Sequence, residues 1–165
     1  MIPRAPAAYA FRAVTPDDLP QIAGWLREPH VARWWGDPDQ QLALIREDLS
    51  EPRMALSIVS IDGRPSGYVQ AYGPFDFGTL AGQPAGSKGI DQFIGAPDLV
   101  GKGHGPALTE VFVATLFAAG APRVVTDPHP DNAVAIRAYE KAGFRRERLI
   151  HTEDGPAVLM ARDRA

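Results

Sequence analysis

Gly101, Gly103 and Gly105 stand at alternate positions of residues 100–108. A chain spelled this way can turn tightly with its N–H groups facing outward, at φ values closed to residues that carry a Cβ. Directly behind them, apolar residues at 108, 111, 112, 116 and 119 repeat with the period of a helix that buries one face. A glycine turn that opens a helix offers unpaired N–H groups and the positive end of the helix dipole to an anion, typically a phosphate. The same spelling also serves as a plain glycine-rich connection. Further on, Asn132 and Tyr139 are seven residues apart, two helical turns. They share one helix face at about 10 Å along its axis. Glycine loop, strand and Asn/Tyr helix can together grip a long ligand, with pyrophosphate at one end, an amide arm in the middle and a reactive atom beside the phenol. Taken singly, Asn132 also reads as a helix cap and Tyr139 as a core aromatic.

The better-known phosphate loops do not fit. A Walker A loop needs Gly-Lys-Ser/Thr after four spacer residues, and the chain has no such run. A Rossmann fingerprint belongs to the first strand of a βαβ unit, whereas these glycines sit two-thirds along the chain with no matching unit around them.

The elements that must position these residues follow from pattern and punctuation. Residues 9–14 read as a short strand. Thr15, Pro16, Asp17 and Asp18 supply an N-cap, a proline at the first helical position and early acids, which opens a helix to about residue 27. Residues 29–36 are expected as a loop or short turn, and 39–49 as a second helix. Residues 54–61 and 65–72 make two strands joined at Asp62-Gly63, a strong hairpin signal. Residues 73–89 are rich in Gly, Pro, Ala and Ser and read as a loop. Residues 88–95 alternate apolar and polar like a half-buried strand. Residues 123–126 form a brief strand, and 132–142 a helix stopped by Gly143. Residues 144–151 and 157–161 close the chain as two strands around a turn at 153–155. Strands linked mainly by hairpins, with helices before and after, describe an α+β fold with a mixed, mostly antiparallel sheet flanked by helices.

Composition bounds the rest. With 165 residues, 45% hydrophobic and 22% charged, the chain reads as one domain over residues 1–165. It has no cysteine, which excludes disulfides, thiolate zinc sites and a cysteine nucleophile. The first residues lack the apolar stretch of a signal peptide, and no apolar run approaches the roughly 20 residues of a spanning helix. A cytoplasmic protein with no membrane partner is expected. The formal net charge is −3 and the arginines are scattered, which argues against a nucleic-acid partner and is compatible with a cationic substrate. The histidines lack metal-ligand spacing, so no metal is expected.

Residues 100–108, V-G-K-G-H-G-P-A-L, followed by residues 131–144, D-N-A-V-A-I-R-A-Y-E-K-A-G-F, closely resemble the acetyl-CoA signature of the GNAT acetyltransferase superfamily. The resemblance implies a GNAT fold over nearly the whole chain, with acetyl-CoA as co-substrate. It places Gly101, Lys102, Gly103, His104, Gly105 and Pro106 around the pyrophosphate of coenzyme A. It also puts Asn132 on the pantetheine arm and Tyr139 beside the thioester sulfur. Val100 departs from the Arg or Gln that many members carry at the start of the loop.

Within that superfamily, residues 30–36 (H-V-A-R-W-W-G), 67–72 (G-Y-V-Q-A-Y) and 89–92 (G-I-D-Q) look like the aminoglycoside 6′-N-acetyltransferases. So do residues 126–128 (T-D-P) and 154–158 (D-G-P-A-V). The likeness implies a sugar site lined by Asp91, Asp127 and Asp154 with Trp35, Gln70 and Tyr72. In the resembling enzymes the loop at 73–87 is acidic and carries tryptophans; here Asp76, between Phe75 and Phe77, stands in for them in part. Siderophore-type acyltransferases share the His…Trp segment and the glycine loop, but typically carry His where this chain has Asp91.

The chemistry of the residues agrees. A primary ammonium must lose a proton before it attacks a thioester, and a carboxylate accepts that proton directly or through water. Asp91, on the strand before the glycine loop, is the expected base; its plain alternative is a solvated strand carboxylate. The departing thiolate needs a proton, and Tyr139 is the expected donor. Direct transfer is expected, since cysteine is absent and no Ser-His pairing is suggested. Asp127 and Asp154 can pair with further ammonium groups, or be ordinary turn residues. Trp34 and Trp35 can pack on sugar rings, with one of the two in the core. The expected protein is thus an acetyl-CoA-dependent acetyltransferase of an aminoglycoside 6′-amine, a monomer or homodimer. Another small amine or hydroxylamine as acceptor, such as a siderophore precursor, and a non-catalytic acyl-CoA-binding module stay open.

Overall fold

The computed structural model describes residues 6–73 and 78–165. Strand β1 (Tyr9–Ala13) pairs with β2 (Met54–Ile61), β2 with β3 (Arg64–Tyr72) and β3 with β4 (Lys88–Ile94), each antiparallel. The β2–β3 turn has Asp62 at φ 51° and Gly63 at φ 82°, the paired left-handed residues that a two-residue Asp-Gly hairpin demands. Strand β5 (Arg123–Thr126) lies parallel to β4, and β7 (Gly155–Asp163) and β6 (Arg145–Thr152) complete one sheet in the order β1-β2-β3-β4-β5-β7-β6. The sheet is mixed and mostly antiparallel, as expected.

Its single parallel pairing is short. Only Lys88↔Val124 and Gly89↔Val125 are in register, and the Thr126 hydroxyl donates to Ile90 O at 3.0 Å. From Asp91 onward β4 has no strand beside it on that edge among the described residues. β5 instead runs on toward β7, where the Val158 N–H donates to Pro128 O at 2.8 Å. The two central strands therefore splay apart, leaving backbone groups of β4 open.

Helices α1 (Leu19–Leu26), α2 (Pro29–Trp35) and α3 (Pro38–Asp48) cover one face of the sheet, burying Ile22, Leu26, Val31 and Ile45 against Ile58, Tyr68 and Phe93. Helices α4 (His104–Ala118) and α5 (Ala133–Lys141) cover the other, burying Leu108, Phe112, Val113 and Ile136 against Val59, Val69, Ile90 and Val124. Tyr68 and Val69 thus go to opposite layers, as the period of two in a strand requires. Each such fully buried aliphatic side chain stabilises the fold by roughly 1.5–3 kcal/mol. At the start of α1, Asp18 accepts from the Thr15 N–H at 2.9 Å and takes both Arg12 guanidinium nitrogens at 2.7 and 2.8 Å.

Two expectations are corrected. The loop or short turn expected over residues 29–36 is instead helix α2, with Gly36 just beyond its end. Pro29 occupies the first helical position, where its missing N–H loses nothing, and Gly36 at φ 89° ends the helix. Seven residues holding a Trp pair show no clear helical period, and it is the burial of Val31 that settles the segment. Helix α4 also begins earlier than its apolar period, at His104, with Gly103 as its N-cap. Gly105 and Pro106 are therefore part of the first turn rather than of the loop. No helix among the described residues is long and apolar enough to cross a membrane.

Candidate active site

The glycine turn is built by conformation rather than by crowding. Gly101 and Gly103 take φ 74° and 83°, yet a Cβ at either would meet nothing within 4 Å. What glycine supplies here is the left-handed backbone that swings the chain into the start of α4. Gly101, Lys102 and Gly103 are exposed, and the first-turn N–H groups of a helix have no partner within it. His104 turns away from this opening: its Nδ1 shares a 2.8 Å hydrogen bond with the Tyr9 hydroxyl, with the two rings edge-on at 5.8 Å. It fastens the turn to β1. Behind the turn, Gln92 Nε2 donates to Thr109 Oγ1 at 2.6 Å, and that hydroxyl donates to Gly105 O at 2.7 Å. The first turn of α4 is thereby tied to the open part of β4.

Helix α5 brings the second pair. Asn132 is its N-cap, with Oδ1 accepting from the Ala135 N–H at 3.2 Å; its amide NH2 has no partner among the described residues. Tyr139 is only 6% exposed and packs edge-on against Phe144 at 5.4 Å. The structural readings of both residues hold; the Asn132 amide NH2 stays uncommitted, while the Tyr139 hydroxyl is hydrogen-bonded to the Thr126 side chain. Burial, first, and the nearby carboxyls of Asp91 and Asp127 push the Tyr139 phenol above its ordinary range, against a lowering by the Thr126 hydroxyl. The phenol remains a proton carrier at neutral pH and sits within the field of those two acids.

The acids converge from three separate segments: Asp91 on β4, Asp127 just past β5, and Asp154 in the β6–β7 turn. Burial raises the Asp91 carboxyl to about 6, opposed by a hydrogen bond from Gln70 and helped by Asp154. Asp127 rises to about 7 through burial first, then Asp91 and Asp154. The Asp91 and Asp154 carboxyls thus act on Asp127, and Asp154 on Asp91, the like-charge repulsion that favours a protonated or cation-paired acid. Gln70, the cross-strand partner of Asp91, donates from Nε2 to Asp91 Oδ2 at 2.9 Å, and Tyr68 donates to Gln70 Oε1 at 2.7 Å. The Tyr72 hydroxyl meets Thr79 Oγ1 at 3.1 Å and is pushed up by burial, Asp91 and Asp127.

The tryptophan pair divides. Trp35 stands edge-on to Phe93 at 5.0 Å and to Tyr68 at 6.0 Å, at the rim of the three-helix layer. Trp34 leans over His129 at 5.9 Å, with the Arg33 guanidinium 4.9 Å from its ring, and so bridges α2 to the turn that carries Asp127. Asp76 lies outside the described residues. Tyr68, Thr126 and Thr79 were not singled out from the sequence. The available signal for Tyr68 was the period of two in β3, which sets it on the same face as Gln70 and Tyr72.

The GNAT family profile, described as Acetyltransferase (GNAT) domain, matches residues 15–152. Aminoglycoside N(6′)-acetyltransferase type 1 from Klebsiella pneumoniae is 36% identical over 168 residues, spanning 95% of this chain and 84% of that protein. N-hydroxyputrescine acetyltransferase from Acinetobacter baumannii is 29% identical over 158 residues, spanning 92% and 76%. The crystal structure of aminoglycoside acetyltransferase AAC(6′)-Ib in complex with coenzyme A and kanamycin superposes with a TM-score of 0.84 at 35% identity, covering 95% of each chain.

Proposed function

The chain belongs to the GNAT acetyltransferase family, and we propose that it moves acetyl from acetyl-CoA directly to the 6′-amine of an aminoglycoside. The similar AAC(6′)-Ib structure holds coenzyme A and kanamycin together, which supports both halves of that reading. The residues present fit the co-substrate. The left-handed Gly101 and Gly103 open a 15-residue helix, and residues 101–106 would hold the pyrophosphate. The Asn132 amide would meet the pantetheine arm. Acetyl-CoA supplies an activated acyl carbonyl; the chain supplies the rest.

The observation that carries the acceptor is the convergence of Asp91, Asp127 and Asp154 on one site, with Asp91 and Asp127 also acting on the Tyr139 phenol. Such a site repels anions and rewards a ligand with several ammonium groups. Asp91 takes a proton from the 6′-ammonium, directly or through one water, and the freed nitrogen bonds to the thioester carbonyl carbon. The C–S bond breaks, the Tyr139 hydroxyl gives the departing sulfur its proton, and the second proton that the nitrogen sheds as the amide forms returns to the phenolate through water. Asp127 and Asp154 pair with other ammonium groups, while Trp35, Gln70 and Tyr72 line the acceptor. The likeness to the Acinetobacter N-hydroxyputrescine enzyme favours a cationic alkyl hydroxylamine as the second reading.

Thiol release from acetyl-CoA decides between them, measured with kanamycin, tobramycin, a gentamicin, a 6′-hydroxy analogue and hydroxylysine in its N6-hydroxy form. Release with the 6′-amine drugs and none with the 6′-hydroxy compound is the expected result. Release with hydroxylysine alone moves the acceptor to the hydroxylamine class. No release with any amine, with coenzyme A still bound, leaves the acyl-CoA-binding module.

A further inference from the structure

We propose that Tyr68 is a positioning residue for the acetyl transfer: its buried hydroxyl fixes the Gln70 amide so that the amide NH2, and not the amide oxygen, faces Asp91. The proposal rests on Asp91 being the base. Tyr68 is fully buried, with its ring stacked on Phe93 at 5.5 Å and edge-on to Trp35 at 6.0 Å. Phenylalanine would fill the same space without the burden of a buried hydroxyl, which is unfavourable unless it is hydrogen-bonded. The hydroxyl has one partner among the described residues, Gln70 Oε1 at 2.7 Å.

A carboxamide has two orientations half a turn apart, one presenting two donors and the other two lone pairs. Against an ionised Asp91 only the NH2 orientation is attractive. Against a protonated Asp91 both work, because the amide oxygen then accepts the acid proton. Tyr68 breaks this tie. Burial, first, and then Asp48 and Asp91 hold its phenol above the ordinary range, so it stays protonated and needs an acceptor. While it donates to Oε1, Nε2 points to Asp91 Oδ2 at 2.9 Å. Tyr68, Gln70 and Asp91 thus form a chain of donated hydrogen bonds that ends on the carboxylate and favours its ionised form.

Other charged or titratable groups also face Asp91. They are Tyr72 from β3, Asp127 past β5, Tyr139 from α5 and Asp154 from the β6–β7 turn; Asp48 of α3 acts on Tyr68. Burial and the Asp154 carboxyl work against ionisation of Asp91. The Gln70 amide is the hydrogen-bond donor that works for it, and its orientation is in the hands of Tyr68.

The test is the pH dependence of kcat/KM for kanamycin in wild type, Tyr68→Phe, Gln70→Leu and the double variant, with Asp91→Asn beside them. Tyr68→Phe is expected to move the acid limb upward by about half a unit or more, a threefold loss at pH values below the limb. In the Gln70→Leu background the same change should move nothing further, because the link is already broken. A purely structural role would lower the rate evenly at all pH values and leave the limb in place. A limb lost in Asp91→Asn but unmoved in Tyr68→Phe overturns the positioning alone, as does an equal shift in both backgrounds. A wild-type limb that persists in Asp91→Asn overturns the base and its positioning together.

Discussion

The Tyr72 ring lies against the backbone of Gly89, its cross-strand partner on β4: a Cβ at Gly89 would come within 2.1 Å of Tyr72 Cε2. No neighbouring backbone moves easily inside a sheet, so the ring must yield. Gly89→Ala is therefore expected to swing Tyr72 out, break its 3.1 Å contact with Thr79, and cost about 1–3 kcal/mol of stability. Tyr72 stands among the acids, so KM for the amine should rise several-fold while KM for acetyl-CoA holds. Steady-state kinetics on both substrates with a thermal melt checks this. A rise confined to acetyl-CoA would mean that Tyr72 serves the other half of the site.

Asp91 and Asp127, raised to about 6 and about 7, keep protons in the fold that an unfolded chain releases near pH 4. Between about pH 4 and pH 7 the folded state binds more protons than the unfolded one, so stability falls as pH rises through that window. Asp127→Asn removes one of these carboxyls and relieves the other. Its Tm should exceed that of wild type by a few degrees at pH 8, by less at pH 5, and converge with it below about pH 4. A polycationic amine at pH 8 should raise the Tm of wild type more than that of the variant. Parallel melting curves across the whole range would remove the like-charge account of the acid group.

The parts of the site legible in the sequence are those where one residue type answers a local demand. Gly101 and Gly103 take backbone angles that few other residues tolerate, and Asp62-Gly63 makes the hairpin turn it spells. Asp127 and Asp154 each read equally well as turn residues; Asp154 does sit in the β6–β7 turn and Asp127 in the loop just past β5, and their convergence with Asp91 depends on strand order, which no local pattern contains. The role of Tyr68 needs the β3–β4 register, in which Gln70 faces Asp91. A slip of one residue would set it beside Gln92 on the opposite face. Helix α2 was missed because seven residues are too few for a period to declare itself.

Asn132 caps α5 with its oxygen and leaves its NH2 group uncommitted among the described residues, so the two functions separate by substitution. Asn132→Ala should lose the cap, at about 1 kcal/mol, as well as the amide. Asn132→Asp keeps an equally good cap and should melt like wild type, yet lacks the donor. Isothermal titration with coenzyme A is expected to show roughly tenfold weaker binding to Asn132→Asp, the scale of one lost hydrogen bond. Binding of 3′,5′-ADP, which has no pantetheine arm, should not change. Equal weakening for both ligands would assign Asn132 to the helix alone.

Tyr139→Phe keeps the ring that packs edge-on against Phe144 and deletes only the hydroxyl, so the fold should survive with coenzyme A affinity intact. If the hydroxyl protonates the departing sulfur, kcat should fall about a hundredfold, the lower range for loss of a general acid. Burial and the adjacent acids hold the phenol above its ordinary range, so it carries its proton across the whole assay window. The loss should therefore be uniform from pH 6 to pH 9, unlike the pH-dependent loss expected when the Asp91 network is disturbed. Single-turnover measurements at saturating substrates separate this chemical step from product release. A kcat within twofold of wild type would return Tyr139 to the role its burial alone supports, a core aromatic under the sheet, and the sulfur would have to take its proton from solvent.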